Sequence, residues 1–343
     1  VSPLWVRNNY KGYHGNHSEP TVRDNDEAVK LATELLSGST GVDGELLYYT
    51  RMFHIGLVPC FIVASQLFFK EMVLDAKLLL MDSTHGITSE SFGKLITLVY
   101  RDSYGNTQAG AVCYYCSNKC SADIKLFLHN VFVMAEDNLG ITTREAFSKL
   151  RYVIIDESTA ERAALNSEFN CDGRANEISI YTCQFHKLMN FKRNLLSYCD
   201  GLLYSFMAAA MYSTSEATCR DLIHQAITMA DGECPSNVSA YLYGQLALID
   251  QWAAFPRKTR LLMQMRTTQR IESLHSIWKR KEHSHYHIGS DDTANTLARK
   301  LDAYFSEQTA IRFSITHEAP STAFMKANLA PLDRLDYGLR RFV

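Results

Sequence analysis

Lys77-Leu-Leu-Leu-Met-Asp82 is a short, continuous apolar run that closes on an acid. Runs of this length bounded by Gly, Asn and Asp read as strands. Two more follow, Leu95–Tyr100 and Gln108–Tyr115, joined by the turn-rich Arg101-Asp-Ser-Tyr-Gly-Asn106, so the three predict a meander with an antiparallel hairpin. A fourth run, Tyr152–Ile155, again closes on an acid, Asp156. A fifth, the alternating Glu177–Thr182, leads straight into Cys183-Gln-Phe-His186.

Between and after these strands the period changes. Ile124, Phe127, Leu128, Val131 and Met134 recur at helical spacing, with Ser121 as an N-cap. Ser158-Thr-Ala-Glu161 has capping-box spacing, so a helix is expected directly after the fourth strand. Lys187, Lys192 and Arg193 lie on a basic amphipathic helix that follows His186, and residues 200–255 read as an all-helical block. Further helices are expected over Asp26–Leu36 and Ser290–Phe305. The most apolar stretch, Met52–Phe69, contains His54, Pro59, Ser65 and Gln66, which argues for a buried helix, or a helix plus strand, over a bilayer span.

The order of elements predicts an α/β fold with a mixed sheet covered by helices. Its layout is that of a ribonuclease-H-like core with an all-helical insertion before the last, glutamate-bearing helix. The expected division is an N-terminal flank at 1–50, the first part of the core at 51–199, the insertion at 200–255, a closing helix with a basic segment at 256–310, and a C-terminal flank at 311–343.

Composition bounds the function. Of 343 residues, 46% are hydrophobic and 21% charged, enough for a sizeable core and too apolar for wholesale disorder. The formal net charge of −2 excludes a uniformly basic nucleic-acid coat protein but not a local basic surface. Nine cysteines at irregular spacing favour reduced thiols in the cytosol or nucleus over a secreted disulfide framework. The first thirty residues are polar and aromatic, so no secretory leader is expected there, and no membrane is expected as a partner. The chain opens at Val1 rather than Met, which is compatible with a fragment.

Asp82 and Asp156 close strands that lie side by side in a ribonuclease-H-like sheet, so both carboxylates are expected at one edge. Mg²⁺ takes oxygen ligands, usually one or two carboxylates with water and phosphate. Two such ions about 3.5–4 Å apart serve in-line displacement at phosphorus. A third carboxylate is then wanted on a later helix, and Glu272 is the candidate. Each acid alone reads equally as a turn, cap or surface residue; the combination carries the argument.

At these residues the sequence resembles the Mutator-like element transposases, a branch of the DDE/D transposase–integrase superfamily. Leu78-Leu-Leu-Met-Asp-Ser-Thr-His85 is similar to the family's first-aspartate strand, and Val153-Ile-Ile-Asp-Glu-Ser-Thr-Ala160 to its second-aspartate block. Cys183-Gln-Phe-His186 is similar to its Cys-x-x-His motif, and Arg266-Thr-Thr-Gln-Arg-Ile-Glu-Ser-Leu-His275 to the block with the closing glutamate. Glu157, directly after Asp156, departs from the pattern and competes for its role. The resemblance implies a nuclear, metal-dependent enzyme that cuts DNA at transposon ends and transfers the freed 3′-hydroxyl into target DNA. Asp82, Asp156 and Glu272 would hold two Mg²⁺ or Mn²⁺ ions, and a homodimer or larger assembly would pair the ends. Two other readings stand beside it: a domesticated DNA-binding transcription regulator without catalysis, and a ribonuclease-H-like nuclease.

Other motifs read more plainly. Cys183 and His186 have metal-like spacing, but two ligands do not close a zinc site, so a local structural or DNA-proximal role is expected. Cys113 and Cys116 point to opposite faces of a strand and, with Cys120, read as buried thiols. His283, His285 and His287 read as a polar loop, and Trp252, Phe255 and Trp278 as packing residues. Between Gln251 and Lys281 lie Arg257, Lys258, Arg260, Arg266, Arg270, Lys279, Arg280 and Lys281 against one acid, Glu272, giving +7. The rest of the chain, with 27 basic and 36 acidic residues, carries −9. A cationic stripe around the third proposed ligand is where DNA phosphates would pass.

Overall fold

The computed structural model describes residues 47–55, 58–85, 93–102, 105–116, 121–170, 178–257, 267–279 and 294–317, with most of 29–38. Among the described residues, seven strands form one sheet: β1 (Tyr48–Ile55), β2 (Val58–Ser65), β3 (Leu78–His85), β4 (Gly93–Arg101), β5 (Thr107–Cys116), β6 (Tyr152–Ile155) and β7 (Ser179–Thr182). Their order is β1-β2-β5-β4-β3-β6-β7. The pairings are antiparallel except β3–β6 and β6–β7, which are parallel. The fold is therefore α/β, with a mixed, mostly antiparallel sheet flanked by helices.

The stretch 52–69, expected as a buried helix or a helix plus strand, follows the second alternative: strand β2 runs into helix α1 (Gln66–Asp75), with the end of β1 ahead of them. Cys60 to Ala64 are each 0% exposed. A strand covered on both faces needs no polar alternation, so the period that separates strand from helix disappears from its sequence. Pro59 lies outside Phe61–Val63, the part of β2 registered with β5, so its missing N–H breaks no bond there.

Gly110 answers a close approach. The β4–β5 register shifts between Leu98 and Val99, which face Ala111 and Ala109, leaving Gly110 as the bulged residue. A Cβ on Gly110 would sit 2.2 Å from the Met72 sulfur of α1, so only glycine lets the helix seat here.

Helices α2 (Ser121–Leu139) and α3 (Thr159–Phe169) pair with one another, with Phe132 and Phe169 rings 5.2 Å apart. Ser158 caps α3 by accepting the Glu161 N–H at 3.2 Å, as the capping-box spacing predicts. Helix α4 (Gln184–Leu195) leaves the end of β7 and leads into α5 (Leu202–Tyr212), α6 (Glu216–Glu233), α7 (Ser236–Ala247) and the short α8 (Ile249–Trp252). The chain then returns to the sheet with α9 (Gln269–Lys279) and α10 (Ala294–His317). Residues 29–30, 32–34 and 36–37 are helical, with Val29, Ala32 and Leu36 buried. None of the described helices is long and apolar enough to cross a membrane.

Two apolar cores result. One packs the sheet against α1–α3 and receives Ile271, Leu274 and Trp278 of α9 and Leu297, Leu301 and Phe305 of α10. The other lies among α4–α8, around Phe191, Met207, Ile223, Leu242 and Trp252. Helix α4 joins them: Cys183, at its N-terminus, belongs to the first core and Phe191 to the second. Trp252 and Trp278 are each 1% exposed and serve as packing residues.

Candidate functional site

The parallel β3–β6 register matches Leu80 with Ile154, so two residues on, Asp82 and Asp156 come to the same end of adjacent strands. Asp82 still lies within β3, opposite Thr97 of β4, whereas Asp156 is the first residue beyond β6. Helix α9 crosses this end and meets both. Thr268, just ahead of α9, with Glu272 and His275 inside it, is spaced i−4, i, i+3 and forms one helical face. The hydroxyl of Thr268 lies 3.1 Å from Asp156 Oδ1 and 3.2 Å from Glu272 Oε1, so its one proton serves one carboxylate at a time.

His186 stands between the same two acids, its Nδ1 2.7 Å from Asp156 Oδ1 and its Nε2 3.5 Å from Glu272 Oε1. Its pKa is pushed up to about 11, first by the hydrogen bond with Asp156 and then by that with Cys183, against the effect of burial. At neutral pH, with no cation bound, it is an imidazolium and the local countercharge; a cation at Nδ1 would displace that proton. Burial raises the Cys183 thiol, but hydrogen bonds from His186 and Thr268 outweigh it and hold the thiol below its usual pKa. The Thr268 N–H donates to Cys183 Sγ at 3.3 Å.

The Asp82 side is more closed. Its carboxylate accepts the Ser83 N–H at 2.7 Å, and its Oδ2 lies 3.6 Å from Nδ1 of His275. Nε2 of His275 is 3.0 Å from the hydroxyl of Thr97, and the ring packs 5.6 Å from Trp278. Side-chain exposure separates the acids: 10% for Asp82, 29% for Asp156 and 35% for Glu272. The cluster thus has a sealed half and an open half.

Glu157 faces elsewhere. Its carboxylate accepts from Lys187 and Asn190 of α4. Lys187 is buried among the rings of Phe191 and Trp252, 5.2 and 6.0 Å from their centroids. Glu157 therefore anchors α4 and the helical block to β6, leaving Asp156 alone at the strand end.

Of the cations expected to face DNA, Arg257 requires correction. It is 5% exposed, donates to the Thr182 and Gln251 carbonyls at 2.7 and 2.9 Å, and stacks 4.7 Å from the Tyr181 ring. A guanidinium spent on two backbone carbonyls pins the helical block to β7 and presents no charge to a phosphate. Arg270 is exposed and reaches Thr107 Oγ1 at 3.0 Å. Lys258, Arg260, Arg266, Arg280 and Lys281 lie outside the described residues, as do the Lys279 side chain, Cys120 and the imidazoles at 283, 285 and 287. Cys113 is a buried core thiol of β5.

Thr268 and His275 stand in the Arg266–His275 stretch, whose sequence alone assigns them no role. Their spacing from Glu272 on one helix is the signal that points to them. No protein-family model matches the chain. A search of curated proteins likewise gives no match.

Proposed function

We propose that the chain is the catalytic core of a DNA transposase of the Mutator-like kind, making divalent-metal-dependent cuts at element ends and joining them to target DNA. The observation that carries this reading is the convergence on helix α9: Asp82 approaches His275, and Asp156 approaches Glu272 through Thr268 and His186. The strand order β5-β4-β3-β6-β7, antiparallel through β3 and parallel beyond it, supports a ribonuclease-H-like core.

Three carboxylates offer hard oxygen donors, which suits Mg²⁺ or Mn²⁺. Asp82, Asp156 and Glu272 would hold the ions, which when bound supply charge neutralisation at phosphorus and an activated attacking oxygen. The remaining chemistry belongs to the chain. Asp82 is fixed by its own backbone and by His275, so one donor is preorganised before DNA arrives. Thr268 sets the spacing of Asp156 and Glu272. Arg270, exposed on α9, and Lys192 and Arg193, exposed on α4, would offer phosphate contacts.

The test is cleavage and strand transfer on plasmid and 3′-hydroxyl oligonucleotide substrates with Mg²⁺ or Mn²⁺. Native protein is expected to nick and join DNA, and Asp82→Asn and Asp156→Asn to lose on the order of 10³-fold in rate while staying folded. A native protein inert with both ions would sink the catalytic reading. It would favour the second one, a DNA-binding regulator, which the lodging of His186 between Asp156 and Glu272 supports. Preference for RNA–DNA hybrids would instead indicate a nuclease.

A further inference from the structure

The same end of the sheet holds a second donor set, which shares Asp156 with the hard-ion set and adds two side chains that hard-ion chemistry leaves unused. A carboxylate oxygen of Asp156, Cys183 Sγ and a ring nitrogen of His186 lie within 4.8 Å of one another. We propose that Asp156, Cys183 and His186 form a binding site for one thiophilic divalent cation of the Zn²⁺ class, with Glu272 as the carboxylate that orients the histidine. The inference uses side chains of the proposed function but stands whether or not the protein cuts DNA.

Four features support it. First, Cys183 directly precedes α4 and His186 is its third residue, so the i, i+3 spacing puts both on one helical face. Second, Asp156 comes from a different element, the end of β6, so the donors surround a point instead of lining a single turn. Third, the two imidazole nitrogens are differentiated. Nδ1 faces Asp156 at 2.7 Å, while Nε2 faces Glu272 at 3.5 Å. A ligating histidine commonly directs its other N–H at a carboxylate, and Glu272 stands in that place. Fourth, Cys183 is fully buried and its sulfur receives the Thr268 N–H at 3.3 Å, the kind of support a ligating thiolate needs.

Donor chemistry selects the ion. One sulfur, one imidazole and one carboxylate match Zn²⁺ or Co²⁺ and mismatch the all-oxygen preference of Mg²⁺. Three protein ligands leave a fourth tetrahedral position. Asp156 and His186 side chains are 29% and 30% exposed, so water can reach it, and the Thr268 hydroxyl borders it 3.3 Å from His186 Nδ1. The sequence motif by itself supplies two ligands and no more; the third arrives only through the β6–α4 juxtaposition. Because Asp156 belongs to both donor sets, a thiophilic ion and the hard-ion pair compete for it.

Co²⁺ titration of the full chain tests this. Native protein is expected to develop a near-ultraviolet sulfur-to-cobalt charge-transfer band and tetrahedral visible absorption that saturate at one equivalent, both bleached by Zn²⁺. Cys183→Ser should lose the charge-transfer band, whereas a Cys199→Ser/Cys234→Ser variant should keep it; those two thiols lie 3.5 Å apart in the helical block and are the obvious rival source. Glu272→Gln should keep the band but bind about 10–100-fold more weakly. Asp82→Asn should keep the band while abolishing cleavage, so the two proposals fail separately. Absence of a saturable sulfur band in native protein, or its survival in folded Cys183→Ser, overturns the site.

Discussion

Two clusters of charge join the late helices to the sheet, and they are built on opposite plans. At one, Arg312 of α10 reaches Asp102 at 2.9 Å and Glu71 of α1 at 2.7 Å. Asp102, its side chain 0% exposed, also accepts from Asn106 and Gln108, and Tyr100 donates to Glu71 at 2.8 Å. Asp102 is held by fixed donors in a dry setting, Glu71 is a quarter exposed at the rim, and Arg312 itself is 5% exposed. At the other, Asp82 faces His275 while Asp156 and Glu272 flank His186 and the Thr268 hydroxyl, and the last two acids stay about a third exposed. A closed, satisfied cluster is a lock. The open cluster is where the proposed cations would bind.

Substitutions can break this contrast. Arg312→Ala should have the largest effect, a loss of about 3–5 kcal/mol in denaturant unfolding, because it strands Asp102, an acid that the fold keeps from water. Asp156→Asn removes a half-exposed pair with His186 and should change stability by less than about 1 kcal/mol. Equal losses in the two variants would mean that the Asp156 cluster is a second lock and not a site.

Thr268→Val comes next. Valine keeps the volume but removes the hydroxyl shared by Asp156 and Glu272, so about 1.5 kcal/mol of positioning should disappear. The expected result is roughly tenfold slower Mn²⁺-dependent cleavage with unchanged DNA affinity. A loss of affinity without loss of rate would place Thr268 in binding instead.

Ser158→Ala should cost about 1 kcal/mol of stability from the lost N-cap and nothing in rate. Although Ser158 is two residues from Asp156, its hydroxyl serves only helix α3, so cleavage should hold at the native rate. A drop in rate would extend the open cluster into the helix start.

Much of this was legible in the chain. The acids closing Leu78–Met81 and Tyr152–Ile155 could be placed because buried strands write themselves as short apolar runs. The Ser158 cap could be placed because its partner is three residues away. Charge was the less faithful guide. Arg257 sits in a cationic run yet is buried against Thr182, since a run of like charges does not record which member the fold will enclose. Glu157 looked like a rival to Asp156 until Lys187, thirty residues on, was seen to hold it.

The residue types of the site, the strands that place Asp82 and Asp156, and the helix that carries Glu272 follow from local pattern. Which side chains meet is a separate matter. Thr268 touches Asp156 across 112 positions of sequence, and Arg312 finds Glu71 across 241. Periodicity and capping act over a few residues, where the backbone itself sets the geometry. The division between a sealed Asp82 and an open Asp156, and the lodging of His186 between two acids, arose only when packed cores brought β3, β6, α4 and α9 to a single end of the sheet.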